Sequence, residues 1–317
     1  MKTTTAQRKG ARSIEKKLAR TGTLFVLPFF VIYFLFQAYP IGYSFYLSFY
    51  EWDGIGTKTF VGFGNYFKLF TVDPYFFKSI GNTLLIMAGY LPITLLLGML
   101  LAILIFNKRI RRKRFFQTAH FLPYVVVPVA TGLLFLLLFD WGTGIVNKLL
   151  LAIGLIDEGV NWLGDPTTGR IVLILMQIWK MLGYVVTIYL AGLTNISSEL
   201  FEAAEIDGAK SSQLVAKIIV PLLGNVSLFL VITGLIDALQ LFDAPKVLFT
   251  IGQVGASIGG PERCCLTPVW YMYDTAFGSV MTANMGLGSA IAYGLFLFIA
   301  VFSIASYKIF GGKGGDE

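Results

Sequence analysis

Hydrophobic residues in this chain fall into long runs, with no strand-like alternation and few polar interruptions. Residues 21–50, 79–107, 115–139, 170–193, 218–242 and 285–307 are nearly free of charge. Each is long enough for a helix that crosses a bilayer, which needs about 20 mostly apolar residues. His120 interrupts the third run, Lys180 the fourth and Asp237 the fifth. The pattern predicts an all-α integral membrane protein with six transmembrane helices. The connecting segments are 1–20, 51–78, 108–114, 140–169, 194–217, 243–284 and 308–317. The first run is too long for a secretory signal core and lacks a clear Ala-x-Ala cleavage site, so it reads as a retained helix. Pro28 and Pro40 are expected to mark its ends or kink it.

Composition agrees with lipid as the main solvent. Only 14% of the 317 residues are Asp, Glu, Lys or Arg, while 56% are hydrophobic; a typical soluble domain has about 25% charged residues. Mean hydropathy is +0.73. The net charge of +7 needs no nucleic acid to explain it. Seventeen of the lysines and arginines fall in 1–20, 108–114, 194–217 and 308–317, against six in the alternate loops. By the positive-inside rule both termini are expected in the cytoplasm. Ala11, Ile14 and Leu18 share one helical face, so the N-terminal segment reads either as a surface helix or as a basic tail. Cys264 and Cys265 are adjacent and give no disulfide framework. With His120 as the one histidine, a multi-histidine metal or proton-relay site is excluded.

The 194–217 segment does not read as a simple linker. Ser197 or Ser198 can cap a helix, and Glu199 and Glu202 suit its positive end. Leu200, Ala203, Ala204 and Asp207 follow helical spacing, and Gly208 supplies a left-handed stop. A second helical stretch leads to Pro221. A helical bend with a small-residue face suits docking into a groove on another protein; the bland alternative is an ordinary amphipathic linker.

At these residues the sequence resembles the permease subunits of binding-protein-dependent ABC importers. The family signature is Glu-Ala-Ala, three residues, Gly, nine residues, then Ile-x-Leu-Pro. It stands here as Glu202-Ala203-Ala204, Gly208 and Ile218-Ile219-Val220-Pro221, with Val220 in place of Leu. Phe63-Gly64-Asn65-Tyr66, Asn82-Thr83-Leu84, Tyr189 to Leu193 and Gly259-Gly260-Pro261 resemble the carbohydrate-uptake branch. Ser197, Ser212 and Val215 depart from that branch, and the region from Pro245 to Asn284 looks expanded. The resemblance implies that the loop is a coupling helix seated in a separate ATPase. Glu202 would make polar contact there, Ala203 and Ala204 would allow close approach, Asp207 would lie on the same face, and Gly208 would set the turn. It also implies a second, similar permease and an extracytoplasmic binding protein docked on 50–78, 140–169 and 244–285. The chain itself would hold no cofactor, since ATP and Mg would belong to the ATPase. The implied place is the inner membrane of a bacterial cell, and the implied cargo is a sugar, an oligosaccharide above all.

No Gly-x-x-x-x-Gly-Lys-Ser/Thr or His-Glu-x-x-His motif is present, so no nucleotide-cradling or metal-ligating residue is expected. Polar side chains in lipid are costly and should face the interior or a water-filled path. Asn82, Gln177, Lys180, Asn225, Asp237, Gln240 and Asn284 are the candidates for a sugar pathway. The alternative for each is helix-to-helix bonding, including a Lys180–Asp237 pair. A glycerol phosphate importer, an ATPase-independent carrier and a membrane enzyme are the competing functions.

Overall fold

A computed structural model of the chain describes residues 18, 20–107, 112–251, 258–278 and 283–311, and of residues 205, 306, 307 and 309–311 the backbone alone. Ala11, Ile14, Lys108, Arg109, Arg111 and the tail beyond Gly311 lie outside the described residues. Helix α1 runs Arg20–Leu47. A two-stranded antiparallel hairpin follows, β1 Tyr50–Glu51 with β2 Thr59–Phe60. Then come α2 Pro74–Phe106, α3 Lys113–Val125, α4 Pro128–Leu138, α5 Ile145–Ala152 and α6 Pro166–Thr194. Next are α7 Ser198–Ile206, α8 Ser211–Leu222 and α9 Gly224–Leu239. The chain ends with α10 Asp243–Thr250, α11 Pro268–Phe277 and α12 Met285–Gly311. Four helices (α1, α2, α6, α12) are long and apolar enough to cross a membrane. The pairs α3–α4 and α8–α9 pass the same test but are bent by 94° and 60°, which gives up to six spans.

Local chemistry sets the helix starts. Asp73 caps α2, its Oδ1 accepting from the N–H of Tyr75 at 2.7 Å and of Phe76 at 2.9 Å, with Pro74 in the first turn. Asp165 does the same for α6 through Thr167 and Thr168, followed by Pro166. Thr267 caps α11 ahead of Pro268. A side-chain cap followed by proline fixes a start because the cap takes orphan N–H groups and proline has none to lose, worth about 1 kcal/mol per cap. Tyr271 of α11 donates its hydroxyl to Asp73, tying α11 to the start of α2. Burial, and then that carboxylate, push the Tyr271 phenol up from its ordinary value.

Proline also shapes the interiors. Phe34–Ala38, Lys68–Val72 and Val215–Ile219 are π-helical, and each ends two residues before a proline: Pro40, Pro74 and Pro221. At Pro40 and Pro221, where the helix continues, the ring crowds the carbonyl four residues back and a widened turn gives that carbonyl room, whereas the extended Asp73 already ends the helix before Pro74. Pro28 passes without a break inside α1. The expected single helix at 115–139 is broken at Val126 and Val127, with ψ angles of 134° and 132°; Val127 has the extended backbone that the following Pro128 favours. The expected helix at 218–242 bends at Leu223 and ends at Leu239.

Helices α2 and α6 run side by side in the same direction and form the spine, burying Ile86, Tyr90, Val172, Leu173 and Met176 completely or nearly so. The end at which they begin is taken as the upper end. There the 258–267 loop folds over the bundle with Gly259, Gly260, Glu262 and Arg263 all at positive φ. Its carbonyls are clamped from below. Lys78 donates to Glu262 O at 2.9 Å, and Arg170 to Cys264 O at 3.3 Å. Asn82 donates to Arg263 O at 2.7 Å and to Leu266 O at 3.3 Å. Cys264 and Cys265, within this loop, are buried free thiols with Sγ atoms 3.5 Å apart. Asn82→Leu leaves Leu266 O unpaired and leaves Arg263 O with only the Leu266 N–H at 3.3 Å, and is expected to cost about 1–3 kcal/mol. Limited proteolysis of the purified protein should then cut within 258–267, where the wild type resists.

Candidate functional site

Helix α7 lies at the lower end, next to the last turns of α2 and α6. Ser197 starts it: its Oγ accepts from the Glu199 N–H at 3.3 Å, and its carbonyl from Leu200. Gly208, at φ +71°, ends it, and the Ala209 N–H returns to Ala204 O at 3.0 Å in the left-handed cap geometry. Phe201 faces inward, its ring 6.0 Å from that of Phe106, and packs on the cluster that holds Ala102, Ile105, Val186 and Leu193. Ala204 is buried with it, so its methyl serves the joint between α7 and the bundle rather than an outward contact. The outward face carries Leu200, Glu202, Ala203, Asp207 and Gly208, all exposed, and Ile206 at 86% exposure. An apolar patch rimmed by carboxylates is thereby presented on a helix fixed at its back, the form expected of a docking surface.

The second site is a cavity of about 160 Å³ between α2, α3, α6 and α9. Its walls carry Tyr90 and Thr94, Tyr124, Tyr184, and Thr233 and Asp237. The Tyr124 and Tyr184 rings stack, with centroids 5.0 Å apart and planes 22° apart. The Tyr90 hydroxyl donates to Gly234 O at 3.3 Å. Aromatic faces beside hydroxyls and a carboxylate are a chemistry that holds polyhydroxylated solutes: the rings cover C–H faces, and the carboxylate accepts from hydroxyls.

Of the seven polar residues singled out in the apolar runs, Asp237 alone lines this cavity. Asn82 is the loop clamp described above, and Asn284 caps α12 by accepting from the Leu287 N–H at 2.8 Å. Gln177 is fully buried, with neither amide atom hydrogen-bonded among the described residues. Asn225 and Gln240 are exposed away from the cavity. Lys180 is half-buried; its field reaches Asp237, but no ion pair within 4.0 Å forms. The sequence reading missed the tyrosines because phenols count as apolar in a hydropathy run. The signal was the spacing of Tyr90 with Thr94 and of Thr233 with Asp237, each one helical turn apart.

Residues 94–310 match the family model described as the binding-protein-dependent transport system inner membrane component. The chain belongs to this family. It is therefore a transport subunit of the inner membrane. The matched residues contain α7 and every cavity-lining residue named here except Tyr90. The lactose transport system permease protein LacF of Rhizobium radiobacter is 35% identical over 295 residues, 93% of this chain and 95% of that protein. The arabinooligosaccharides transport system permease protein AraP of Bacillus subtilis (strain 168) is 30% identical over 98% of this chain and 95% of its own length. In structure, the permease resembles a chain of a bacterial ABC transporter involved in the import of the acidic polysaccharide alginate. The TM-score is 0.76 at 23% identity, covering 94% of this chain and 98% of that one, which establishes the shared fold.

Proposed function

We propose that this permease is one of two transmembrane subunits of an ATP-driven importer, and that it carries a sugar, an oligosaccharide above all, by alternating access. The observation that carries the reading is α7, a capped helix fixed at its back by Phe201 and Ala204, with Leu200, Ala203 and Ile206 bare on its front. In this reading α7 is the coupling helix and sits in a cleft of a separate ATPase that binds ATP and Mg. The lower end is cytoplasmic, in keeping with Arg112, Lys113, Arg114, Lys210 and Lys217 beside it. The upper end faces out, and a solute-binding protein docks on its loops. The apolar window of α1 has no buried residue, which supports a second membrane subunit covering it. The names of LacF and AraP and the tyrosine-lined cavity with Asp237 support a sugar as cargo.

Proteoliposomes test this. Uptake of a labelled oligosaccharide should require ATP, the ATPase, the second permease and the binding protein together. Flux through this chain alone without ATP would overturn the reading in favour of a carrier. Asp237→Asn should lower uptake by about tenfold, the scale of one lost hydrogen bond to a charged group. Lys180→Met should change it little, because Lys180 is off the cavity wall.

A further inference from the structure

Asp237 is the one charged side chain on the wall of the cavity between α2, α3, α6 and α9. It is also the wall's unused acceptor. The Thr94 hydroxyl donates to Tyr90 O at 2.7 Å, and the Thr233 hydroxyl to Phe229 O at 2.8 Å. Asp237 takes no hydrogen bond from any described residue and remains accessible. Lys180 stands one turn before Tyr184 on α6 but does not line the space, so a solute in it meets the carboxylate and no cation. A carboxylate on a cleft with low-dielectric walls focuses its field into the cleft and sorts solutes by charge.

We propose that Asp237 gives this half of the translocation path a negative potential, so that the cargo is a neutral sugar and anionic ones, uronates and sugar phosphates, are rejected. The proposal rests on the reading of the cavity as part of the path. A neutral sugar offers hydroxyl donors to the free carboxylate and C–H faces to the stacked pair Tyr124 and Tyr184. An anionic sugar brings its charge towards Asp237 with no compensating cation on the wall.

The field is measurable without knowing the sugar. In the assembled importer, Thr233→Cys is introduced together with Cys264→Ser and Cys265→Ser. Its rate of modification is measured with a trimethylammonium and with a sulfonate methanethiosulfonate reagent, each normalised to the rate with free 2-mercaptoethanol. The cationic reagent should react faster by at least about tenfold, since a unit charge a few ångström away acts with opposite sign on the two reagents. Asp237→Asn should bring the ratio near one, and Lys180→Met should raise it. Tyr124→Cys, at a half-buried position on the same wall, serves as a second reporter if the first variant does not assemble. A ratio near one in the parent, a ratio untouched by Asp237→Asn, or no modification at either position in any nucleotide state would overturn the proposal. The path itself is tested separately. If the expected charge ratio is seen but a transported neutral sugar, delivered by its binding protein, gives no protection, the reading of the cavity as path falls.

Discussion

Gly208→Val is expected to cut ATP-driven uptake by about tenfold while leaving the permease in the membrane at wild-type levels; Gly208→Asn should keep most of the activity. Gly208 holds φ +71° where α7 stops, and a Cβ there would meet nothing within 4 Å. Space therefore costs nothing, and the whole penalty lies in the backbone. A left-handed conformation costs an ordinary residue about 1–2 kcal/mol, roughly a 5- to 30-fold loss of the capped form. β-Branching makes valine worse, whereas asparagine tolerates this region. Losing the turn breaks the bond from the Ala209 N–H to Ala204 O. With nine residues, α7 has little helical stability of its own, so its ends decide whether its outward face is formed. Loss of the cap would misplace Asp207 and Ile206 but not Phe201, which is anchored at the back. Uptake, together with binding-protein-stimulated ATP hydrolysis, checks this. Normal coupling in Gly208→Val would mean that the shape of this turn does not matter to transport.

What could be read in the sequence was what is decided locally. The α7 helix follows from Ser197, Glu199 and Gly208, all within a dozen residues, and the structure forms it as their chemistry dictates. The long apolar runs at 79–107, 170–193 and 285–307 became α2, α6 and α12, since a backbone in lipid must satisfy its own hydrogen bonds. The helix starts were misjudged where charge was taken as a boundary. Helix α2 begins at Pro74, before Lys78, and α6 at Pro166, before Arg170. Both cations sit inside helices because each gives its protons to carbonyls of the 258–267 loop. The region 243–284 looked like a connection, yet it holds α10 and α11. Ala244, Val247 and Leu248 of α10 are buried, and α10 lies against α4, too short to announce itself as a span. The cavity needed three dimensions. Its wall takes one to four residues from each of four helices, and those of α2 and α9 lie more than 130 residues apart in sequence.

Packing and pathway meet at Gly183. A Cβ at this position of α6 would run into the backbone carbonyl of His120 and the Cα of Phe121 on α3. Those atoms are main chain, so no rotamer change can relieve the overlap and the two helices must part. Close helix approach through a small residue is the usual source of association in lipid, where burial between helices gains little over burial in acyl chains. Overpacking of this kind costs about 1–3 kcal/mol per added group. Gly183→Ala is therefore expected to lower the unfolding midpoint of the purified complex, and Gly183→Val to prevent its isolation. His120→Ala should do little to stability, because the contact uses the His120 backbone while its ring Nδ1 lies 2.8 Å from Phe116 O within α3. The functional loss in Gly183→Ala should exceed the loss of folded protein. Tyr184 is the next residue, and its stack on Tyr124 spans the gap that the new methyl would widen. Uptake per folded complex separates the two effects. If uptake simply tracks the amount of folded protein, then the spacing of α3 and α6 sets stability alone and the stacked tyrosines are not part of the path.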